Sequence, residues 1–600
     1  MKLIKDADQR RRFGALWQLL KYMLRYKLIF ACVVVTVVAS NLLALVIPQI
    51  PGVVVDALNI TTGGAIDMAF VLTNVAYILL IGLATYVLSV IQNMLMLKAA
   101  QSVVVDLRHD VFSQLSRLPV SFFDGNTKGN ILAILVSDID NISDTVSSDA
   151  ITLLTGLVTL IGAVIMMLRI SPRLTLVFAV TVPIMVVVAY FVKNRARVLF
   201  REKKNWFGRL CGYAEEMITA QKTVKVYGIE DYNVSHFEDM SASLCDAGGK
   251  AEFVSSTMMP QMNFINNLNY IGICAFGALL AVSGGISIGN ISTFTLYAKK
   301  FSAPIVDTAN IVNMLQATLA ACDRVFSVLN ADTEPDQPLL GEGAPAYFPE
   351  PSRVRGEIEF SHVNFSYVPG TPVLKDVSFK VRPGEKVAIV GATGSGKTTI
   401  ISLLMRFYEC GEGRITIDGM DIRAIPLATL RSYLALILQD SWLFEDTVLA
   451  NISYAAPPER RDPEVVKQLC REITVDEFIE TLPQGYDTML RADAGGLSQG
   501  QKQLMSIART FLCDPPVFIL DEATSSVDTL TERHIQRVTA NVTAGKTSII
   551  IAHRLSTIRG ADRIIVMKDG IIREVGSHDE LMAQNGMYAD LYRSQFTEVA

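Results

Sequence analysis

The sequence predicts an α-helical domain that crosses a membrane six times, followed by a soluble α/β domain. Half of the 600 residues are hydrophobic, only 19% are charged and the mean hydropathy is +0.35, which is typical of a partly membrane-embedded chain. Six long apolar stretches lie within the first 315 residues. A strand, a glycine-rich loop and a helix follow one another near residue 390, which indicates the α/β domain.

Composition argues against two other kinds of protein. The formal net charge is −5, which gives no indication of a nucleic-acid partner. The eight cysteines are scattered and form no C-x-x-C pair of the kind that binds metal. We therefore expect free thiols in a reducing compartment, and membrane lipids rather than nucleic acid around the first domain.

The six spans and their orientation follow from apolar length and from the distribution of lysine and arginine. A helix needs about 20 apolar residues to cross the bilayer core. Basic residues are frequent in 1–27 and in the inner segments 94–146 and 194–261, whereas 57–67 and 284–289 contain none. We therefore expect both termini in the cytoplasm, with the chain in the plasma membrane. The predicted spans are 28–47, 68–93, 147–168, 174–193, 262–283 and 290–315.

Both inner segments keep helical periodicity, so we expect the spans to continue as helices into the cytoplasm. Their tips lie near 118–125 and 215–230. Phe122 and Phe123 at the first tip are interpreted as an anchor that docks on another domain, with local packing as the alternative.

Polar side chains within the last two spans are candidate substrate contacts, because such residues are costly in lipid. Three asparagines share one face of the fifth span, and two lysines lie about 15 Å into the sixth at 1.5 Å per residue. Two interpretations are open: bonds that close the helix bundle, or a water-filled cavity that faces the substrate. The residues are Asn263, Asn266, Asn267, Lys299, Lys300 and Asp307.

Proline and glycine are frequent in 327–356, and the composition becomes that of a soluble domain after this stretch. The predicted organisation is therefore a membrane domain at 1–326, a linker at 327–356 and an α/β domain at 357–600.

Residues 391–398, G-A-T-G-S-G-K-T, match the phosphate-loop pattern G-x-x-x-x-G-K-T. The apolar run 387–390 predicts a buried strand before the loop, and the spacing of apolar residues over 399–407 predicts a helix after it. Backbone N–H groups of such a loop close on a polyphosphate at the helix N-terminus. We predict that Lys397 reaches the β- and γ-phosphates and that the Thr398 hydroxyl binds Mg²⁺.

Three further apolar strands end in polar residues that suit the same chemistry. Gln439 follows 436–438, Asp521 and Glu522 end the run that starts at Val517, and His553 ends the run that starts at Ser548. Asp521 suits a magnesium-bound water, and Glu522 suits the base that orients an attacking water.

Two other elements point to the same ligand. Residues 496–501, G-L-S-Q-G-Q, open a periodic helix and present N–H groups and a hydroxyl suited to phosphate. Tyr367 lies ahead of the phosphate loop, where an aromatic ring can stack on adenine.

In this order, the motifs of 357–590 resemble the nucleotide-binding domain of ABC transporters. The six spans ahead of them resemble the transmembrane domain of ABC exporter half-transporters, so the implied fold is this domain joined to an α/β P-loop NTPase domain. The resemblance implies two chains that hold two ATP molecules, each between the Walker A loop of one chain and the signature of the other. It also identifies the tips near 118–125 and 215–230 as coupling helices.

The resemblance also implies a role for each matching residue. Tyr367 matches the adenine-stacking residue, Gln439 the Q-loop glutamine, Leu497–Gln501 the signature, Asp521 the Walker B aspartate, Glu522 the catalytic glutamate, 525–528 the D-loop and His553 the switch histidine. The residues expected at ATP are Gly391, Gly394, Ser395, Gly396, Lys397, Thr398, Thr399, Ser498, Gln499, Gly500, Gln501 and Asp528, with Thr398, Gln439 and Asp521 at Mg²⁺.

One residue departs from the family pattern. The signature is L-S-Q-G-Q where the usual form is L-S-G-G-Q, so Gln499 replaces a glycine that should lie close to the partner's ATP. This resembles one half of the heterodimeric bacterial multidrug exporters, in which one of the two sites is degenerate. We predict a heterodimer with a second half-transporter, and a substitution tolerated in a homodimer is the alternative.

The resemblance implies ATP hydrolysis coupled to transport by alternating access. We expect export of amphipathic or hydrophobic small molecules, drug-like or lipid-like. A siderophore importer, a lipid flippase and a peptide exporter are alternatives on the same scaffold. The six fused spans argue against a soluble ABC ATPase, and Glu522 argues against an ATP-gated channel or regulator because it retains turnover.

Overall fold

The computed structural model describes residues 2–60, 68–335, 348–438, 442–491, 496–522, 529–552 and 555–596. The chain forms two compact units, one of Met1–Ser116 with Thr127–Ala331 and one of Arg117–Asn126 with Asp332–Ala600. The second unit thus includes the first predicted cytoplasmic tip, which the sequence analysis assigned to the membrane domain.

The first unit is built from long helices and from the turns between them, as far as the structure describes it. Two of its turns, Ile134–Asp138 and Thr145–Asp149, are π-helical. Including α5, which belongs to the second unit, the helices are α1 Lys2–Arg25, α2 Lys27–Val46, α3 Gln49–Ile60, α4 Met68–Leu115, α5 Val120–Asp124, α6 Lys128–Ala133, α7 Ile139–Asp144, α8 Ala150–Ile170, α9 Pro172–Thr219, α10 Gln221–Tyr227, α11 Glu230–Ser256, α12 Met258–Val282 and α13 Ile288–Leu329.

Helix length and composition support the predicted membrane crossings. Helices α4 and α9 each contain 48 residues, which is about 72 Å at 1.5 Å per residue and more than twice a bilayer core. The sixth predicted span lies in α13, part of whose side chains are outside the described set. Among the described residues, the runs long and apolar enough to cross a membrane are Lys27–Leu58, Met68–Leu115, Lys128–Ile170, Pro172–Thr219 and Glu230–Val282.

Helices α3 and α13 pack with their backbones in close contact. A Cβ atom on Gly289 would lie 2.0 Å from the carbonyl oxygen of Gly52, so this approach requires glycine. The Asp56 carboxylate accepts hydrogen bonds from the Gly289 N–H and the Ser287 hydroxyl, both at 2.6 Å. Asp56 therefore satisfies donors at the start of α13.

The second unit is an α/β domain with two sheets. One sheet has the order β2-β1-β4-β5, and the other has the order β10-β9-β3-β8-β7-β6 with β9, β3, β8, β7 and β6 parallel. The strands are β1 Ile358–Phe365, β2 Leu374–Val381, β3 Lys386–Gly391, β4 Glu412–Ile417, β5 Met420–Asp421, β6 Leu434–Ile437, β7 Val517–Glu522, β8 Thr547–Ala552, β9 Arg563–Lys568 and β10 Ile571–Gly576.

Helices cover this parallel sheet and complete two apolar cores. The central strands β3 and β8 are almost fully buried, which explains their continuous apolar sequences. The helices are α14 Lys397–Leu404, α15 Leu427–Tyr433, α16 Val448–Ser453, α17 Pro463–Glu472, α18 Asp476–Ile479, α19 Gln499–Cys513, α20 Thr529–Val542, α21 Leu555–Arg559, α22 His578–Gln584 and α23 Met587–Phe596.

The parallel order brings the predicted catalytic segments to one edge of the sheet. Strands β3, β8, β7 and β6 are neighbours, and Glu522 pairs with Ala552 across the end of β7 and β8. Because the carboxyl ends of parallel strands meet at one edge, Gly391, Ile437, Glu522 and Ala552 end their strands at the same edge of the sheet.

Candidate active site

The phosphate loop connects β3 to α14 and depends on glycine at both ends. Gly391 pairs with Met567 of β9, and a Cβ atom on Gly391 would lie 2.3 Å from the Met567 carbonyl oxygen. Gly396 precedes the first residue of α14 with a φ of 99°, a backbone conformation that favours glycine. The chain can therefore turn sharply from a buried strand into a helix whose N-terminus faces the loop.

Lys397 is held inside this loop. Lys397 is only 6% exposed. Its Nζ donates hydrogen bonds to the carbonyl oxygens of Gly391 at 2.9 Å and Ala392 at 3.0 Å. Burial lowers the pKa of Lys397 below that of an ordinary lysine, while the negative charge of Asp521 opposes this shift. The ammonium group is thus positioned to exchange carbonyl oxygens for phosphate oxygens.

The remaining loop residues fit a magnesium nucleotide. Ser395 is 4% exposed, and its buried Oγ has no hydrogen-bond partner among the described residues. Gly394 has open space on the side where a Cβ atom would be, and Thr398 is exposed at the start of α14. An unpaired buried hydroxyl, an exposed hydroxyl and a helix N-terminus are groups that phosphate oxygens and Mg²⁺ can use.

Both predicted carboxylates lie at the end of the predicted strand, which is β7. Asp521 is half-buried on β7, and Glu522 is the last residue of that strand, where only its backbone is described. Gln439, Asp528 and His553 lie outside the described residues. Strands β6 and β8 end at Ile437 and Ala552, at the same edge of the sheet as the end of β3.

Tyr367 lies near the phosphate loop with part of its ring free. It is 45% exposed, and its hydroxyl donates to Thr399 Oγ1 on α14 at 3.2 Å. Its ring packs edge to face on Phe365, with centroids 4.8 Å apart. An exposed aromatic ring held beside α14 suits stacking on a nucleotide base.

The signature segment forms the start of α19. Ser498 accepts a hydrogen bond from the Gln501 N–H, and the Gln501 side chain accepts from the Ser498 N–H, which together form a capping box. Gly500 is buried. Gln499 is the first residue of the helix and is not among the residues with positive φ, so its substitution for glycine causes no local backbone strain.

Phe122 and Phe123 lie on the short helix α5 in the second unit. Their rings pack edge to face with centroids 5.6 Å apart, Phe122 is half-buried and Phe123 is 42% exposed. Tyr408 and Asp124, neither of which was predicted from the sequence, form a hydrogen bond between the residues after α14 and α5. The adjacent aromatic residues that follow α14 were the available signal.

The asparagines of α12 have different surroundings. Asn263 and Asn267 are exposed in the first unit, and Asn266 is half-buried. Asn269, which was not predicted from the sequence, is 4% exposed and accepts a hydrogen bond from the Thr181 hydroxyl at 3.3 Å. Bonding between helices is therefore the role of Asn269, and the substrate-facing role of the other three stays a prediction.

The two lysines of α13 also differ. Lys299 is exposed, whereas Lys300 is half-buried and donates to the Ala44 carbonyl at 2.5 Å. Pro48 interrupts the helix between α2 and α3, and since proline has no N–H, the Ala44 carbonyl lacks its helical donor. One turn before Lys300, the buried Tyr297 hydroxyl donates to the neighbouring carbonyl of Leu45.

Lys300 therefore donates to a carbonyl that a helix break leaves without its helical partner. This contact supports the interpretation of Lys300 as a residue that closes the helix bundle. Lys299 is exposed, and its place at a substrate cavity stays a prediction. The side chain of Asp307 lies outside the described set, so its predicted role has no structural account.

Comparison with known proteins identifies the family. Residues 30–305 match the model of the ABC transporter transmembrane region, and residues 374–525 match the ABC transporter model. The chain is 40% identical over 539 residues to a fatty acid ABC transporter ATP-binding/permease protein of Mycobacterium bovis, which covers 90% of the chain and 84% of that protein. It is 35% identical over 505 residues to an ATP-dependent lipid A-core flippase of Saccharophagus degradans, which covers 84% of each.

A solved structure extends the similarity to the whole fold. An ATP-bound bacterial Atm1-family ABC exporter matches 99% of both chains with a TM-score of 0.76 and 27% identity. The predicted fold class, family and ATP-driven transport are thereby confirmed. The chain belongs to the ABC transporter family, as an exporter-type half-transporter in which several membrane-spanning helices are fused to one ATP-hydrolysing domain.

Proposed function

We propose that the chain exports amphipathic, lipid-like acids across the plasma membrane, with its termini and nucleotide-binding unit in the cytoplasm. The observation that carries this proposal is an exporter fold along the whole chain, in a protein similar to transporters named for fatty acid and lipid A. Lys299 supports an acidic head group, because it is an exposed cation within the sixth predicted span. The basic residues of 1–27 support the orientation.

ATP with Mg²⁺ would bind at the phosphate loop and supply the free energy of transport. Lys397 and the loop N–H groups would hold the phosphates, with Thr398, Gln439 and Asp521 at Mg²⁺ and Tyr367 on adenine. Glu522 would orient the attacking water and accept its proton, and His553 would contact the γ-phosphate side of the site. The common edge of β3, β8, β7 and β6 supports this arrangement.

Helix α5 would transmit the ATPase cycle to the membrane helices. Its place in the second unit supports this role, because the chain on either side of it continues into α4 and α6 of the first unit. Phe122 and Phe123 would supply the apolar contact, and their partly buried ring pair supports this assignment. A second half-transporter would complete the two ATP sites.

Transport by membranes that contain the natural partner tests this function. Inside-out vesicles from source cells that overproduce the chain should take up a fluorescent fatty acid when ATP is added. Vesicles with Glu522→Gln should not, and a fluorescent fatty alcohol of equal length should be taken up more slowly. Equal ATP-dependent uptake of the acid in parental and Glu522→Gln vesicles would refute the proposal.

A lipid flippase is the second candidate, since several relatives are named ATP-dependent lipid A-core flippases. It moves a lipid between leaflets without releasing it into water. Dithionite reduction of a labelled phospholipid in the same vesicles distinguishes the two: an ATP-dependent change in the protected fraction indicates flipping, and luminal accumulation of the free acid indicates export.

A further inference from the structure

Segment 117–126 is fixed to the nucleotide-binding unit at both of its ends. At one end, the Glu334 N–H donates to the Arg117 carbonyl at 2.9 Å. At the other, the Tyr408 hydroxyl donates to the Asp124 carboxylate at 2.5 Å. Helix α5, which carries the phenylalanine pair, lies between these two anchors.

Both anchors involve contacts with Phe407 or Tyr408, two adjacent residues just beyond α14, the helix that starts in the phosphate loop. Tyr408 makes one anchor itself. The other runs through Glu334, which forms two hydrogen bonds with Arg431 at 2.7 and 2.8 Å, and the Arg431 guanidinium lies over the Phe407 ring at 5.5 Å. The phosphate-binding helix thus has nucleotide-binding residues at its start and the contacts of segment 117–126 just past its end.

Tyr408 also contacts the predicted adenine-stacking residue. The rings of Tyr367 and Tyr408 pack edge to face, with centroids 4.9 Å apart and planes at 89°, and Phe365 closes the cluster at 5.8 Å from Tyr408. Burial raises the pKa of Tyr408, and the hydrogen bond to Asp124 raises it further, so the hydroxyl remains a donor at neutral pH. One side chain therefore contacts both the base-stacking ring and α5.

We propose that Tyr408 is a positioning residue that couples occupancy of the adenine face of Tyr367 to the docking of α5. A base stacked on Tyr367 restricts that ring, the edge-to-face contact restricts Tyr408, and the hydroxyl of Tyr408 is then held toward Asp124. This inference rests on the proposed coupling role of α5. It adds that α5 responds to the base and not only to the phosphates.

Hydrogen exchange of the full chain in lipid nanodiscs tests the inference without any transport assay. Two probes are used at saturation: a magnesium complex of a non-hydrolysable ATP analogue, and magnesium tripolyphosphate, which has no base. The ATP analogue should slow amide exchange in 117–126, and tripolyphosphate should slow it less. In Tyr408→Phe the extra effect of the base should fall by about three- to tenfold, as expected for the net contribution of one typical hydrogen bond.

Thermodynamic linkage gives a second readout that a merely structural role would not change. Coupling between two sites is reciprocal, so Asp124→Ala should weaken binding of the ATP analogue by the factor that Tyr408→Phe removes from exchange. The affinity of the Asp124→Ala variant for tripolyphosphate should stay unchanged. The double variant Tyr408→Phe/Asp124→Ala should lose no more affinity for the ATP analogue, and no more of the base effect on exchange, than either single variant, because both substitutions remove the same hydrogen bond.

Tyr588→Phe is the matched control, since it removes a tyrosine hydroxyl that lies 2.8 Å from His578 Nδ1 in the same unit. Exchange in β3 reports on folding in every variant. An unchanged base effect in Tyr408→Phe, an equal effect of both probes in the parent, or additive losses in the double variant would each overturn the inference. Failure of fatty acid uptake would leave these results unaffected, so the inference and the proposed substrate are tested separately.

Discussion

Lys397→Met is expected to weaken ATP binding by about two orders of magnitude while the fold is retained. In the structure Nζ makes two hydrogen bonds, to Gly391 O and Ala392 O. If each contact with a phosphate oxygen contributes about 3 kcal/mol and each contact with a neutral carbonyl about 1.5, the exchange of two contacts is worth about 3 kcal/mol. That corresponds to a rise in Kd of about 150-fold at 1.36 kcal/mol per tenfold.

The free energy of unfolding of the nucleotide-free chain should change little. Burial disfavours the charged form of Lys397, as its lowered pKa shows, so methionine removes a cost of folding, but it also removes the two hydrogen bonds to the carbonyl oxygens of Gly391 and Ala392. For the parent, nucleotide affinity should fall as pH rises through this lowered pKa, because the ammonium loses its proton. The variant should not show that fall.

The assay is binding of a fluorescent ATP analogue to the full chain in detergent, with thermal unfolding measured on the same samples. Lys375→Met is the matched control, because it makes the same charge change at an exposed position on β2. A Kd within about threefold of the parent would show that Lys397 does not contact the phosphates. A loss of thermal stability would instead assign the weaker binding to a damaged fold.

Three further predictions concern turnover, coupling and the membrane cavity. Glu522→Gln should bind ATP normally and lose about 100- to 10,000-fold in turnover, and a parental rate in that site would show that Glu522 is not the base. Replacing Phe122 and Phe123 with alanine should leave ATP affinity intact while transport per ATP falls, and an unchanged ratio would indicate local packing only. Cysteine at 299 should react with water-soluble thiol reagents at a rate that depends on nucleotide, whereas cysteine at 300 should react slowly, and lack of labelling at 299 would remove it from the cavity.

Sequence patterns predicted the parts of the fold that depend on local composition. The predicted span 28–47 and helix α2 differ by one residue at each end, because one apolar stretch of bilayer length decides both. The phosphate loop could be predicted equally well, because its strand, glycine pattern and helix are adjacent in the chain. Strand β8 was predicted from its apolar run and is buried along its whole length.

Contacts between distant residues could not be predicted in this way. The Tyr408 and Asp124 pair is 284 residues apart, and Lys300 lies 256 residues from the carbonyl to which it donates. A proline at 48 predicts a helix break and unpaired carbonyls, but not which side chain satisfies them. From the sequence, Lys300 was either a cavity residue or part of a bond that closes the bundle, because charge within a span is costly. The structure gives it a partner that hydropathy does not reveal.

The remaining prediction is that this chain works with a different half-transporter. Gln499 occupies ordinary helical backbone at the start of α19, so the larger side chain must affect the group that packs against the signature and not the helix itself. In a homodimer the bulkier residue would face both ATP molecules. In a heterodimer it faces only the partner's nucleotide, and the partner supplies a glycine at that position to the site that contains Glu522.

A heterodimer would keep one fully equipped site, whereas a homodimer would carry Gln499 at both. The partner should then lack a glutamate or a histidine at the positions that match Glu522 and His553. Expression of this chain alone should give ATPase activity well below that of the pair. Gln499→Gly should raise hydrolysis in a homodimer at both sites, whereas in the pair it should act only where the partner's residues bind ATP. A stable homodimer with full ATPase activity and fatty acid stimulation would contradict the prediction, because Gln499 would then be tolerated at both nucleotides.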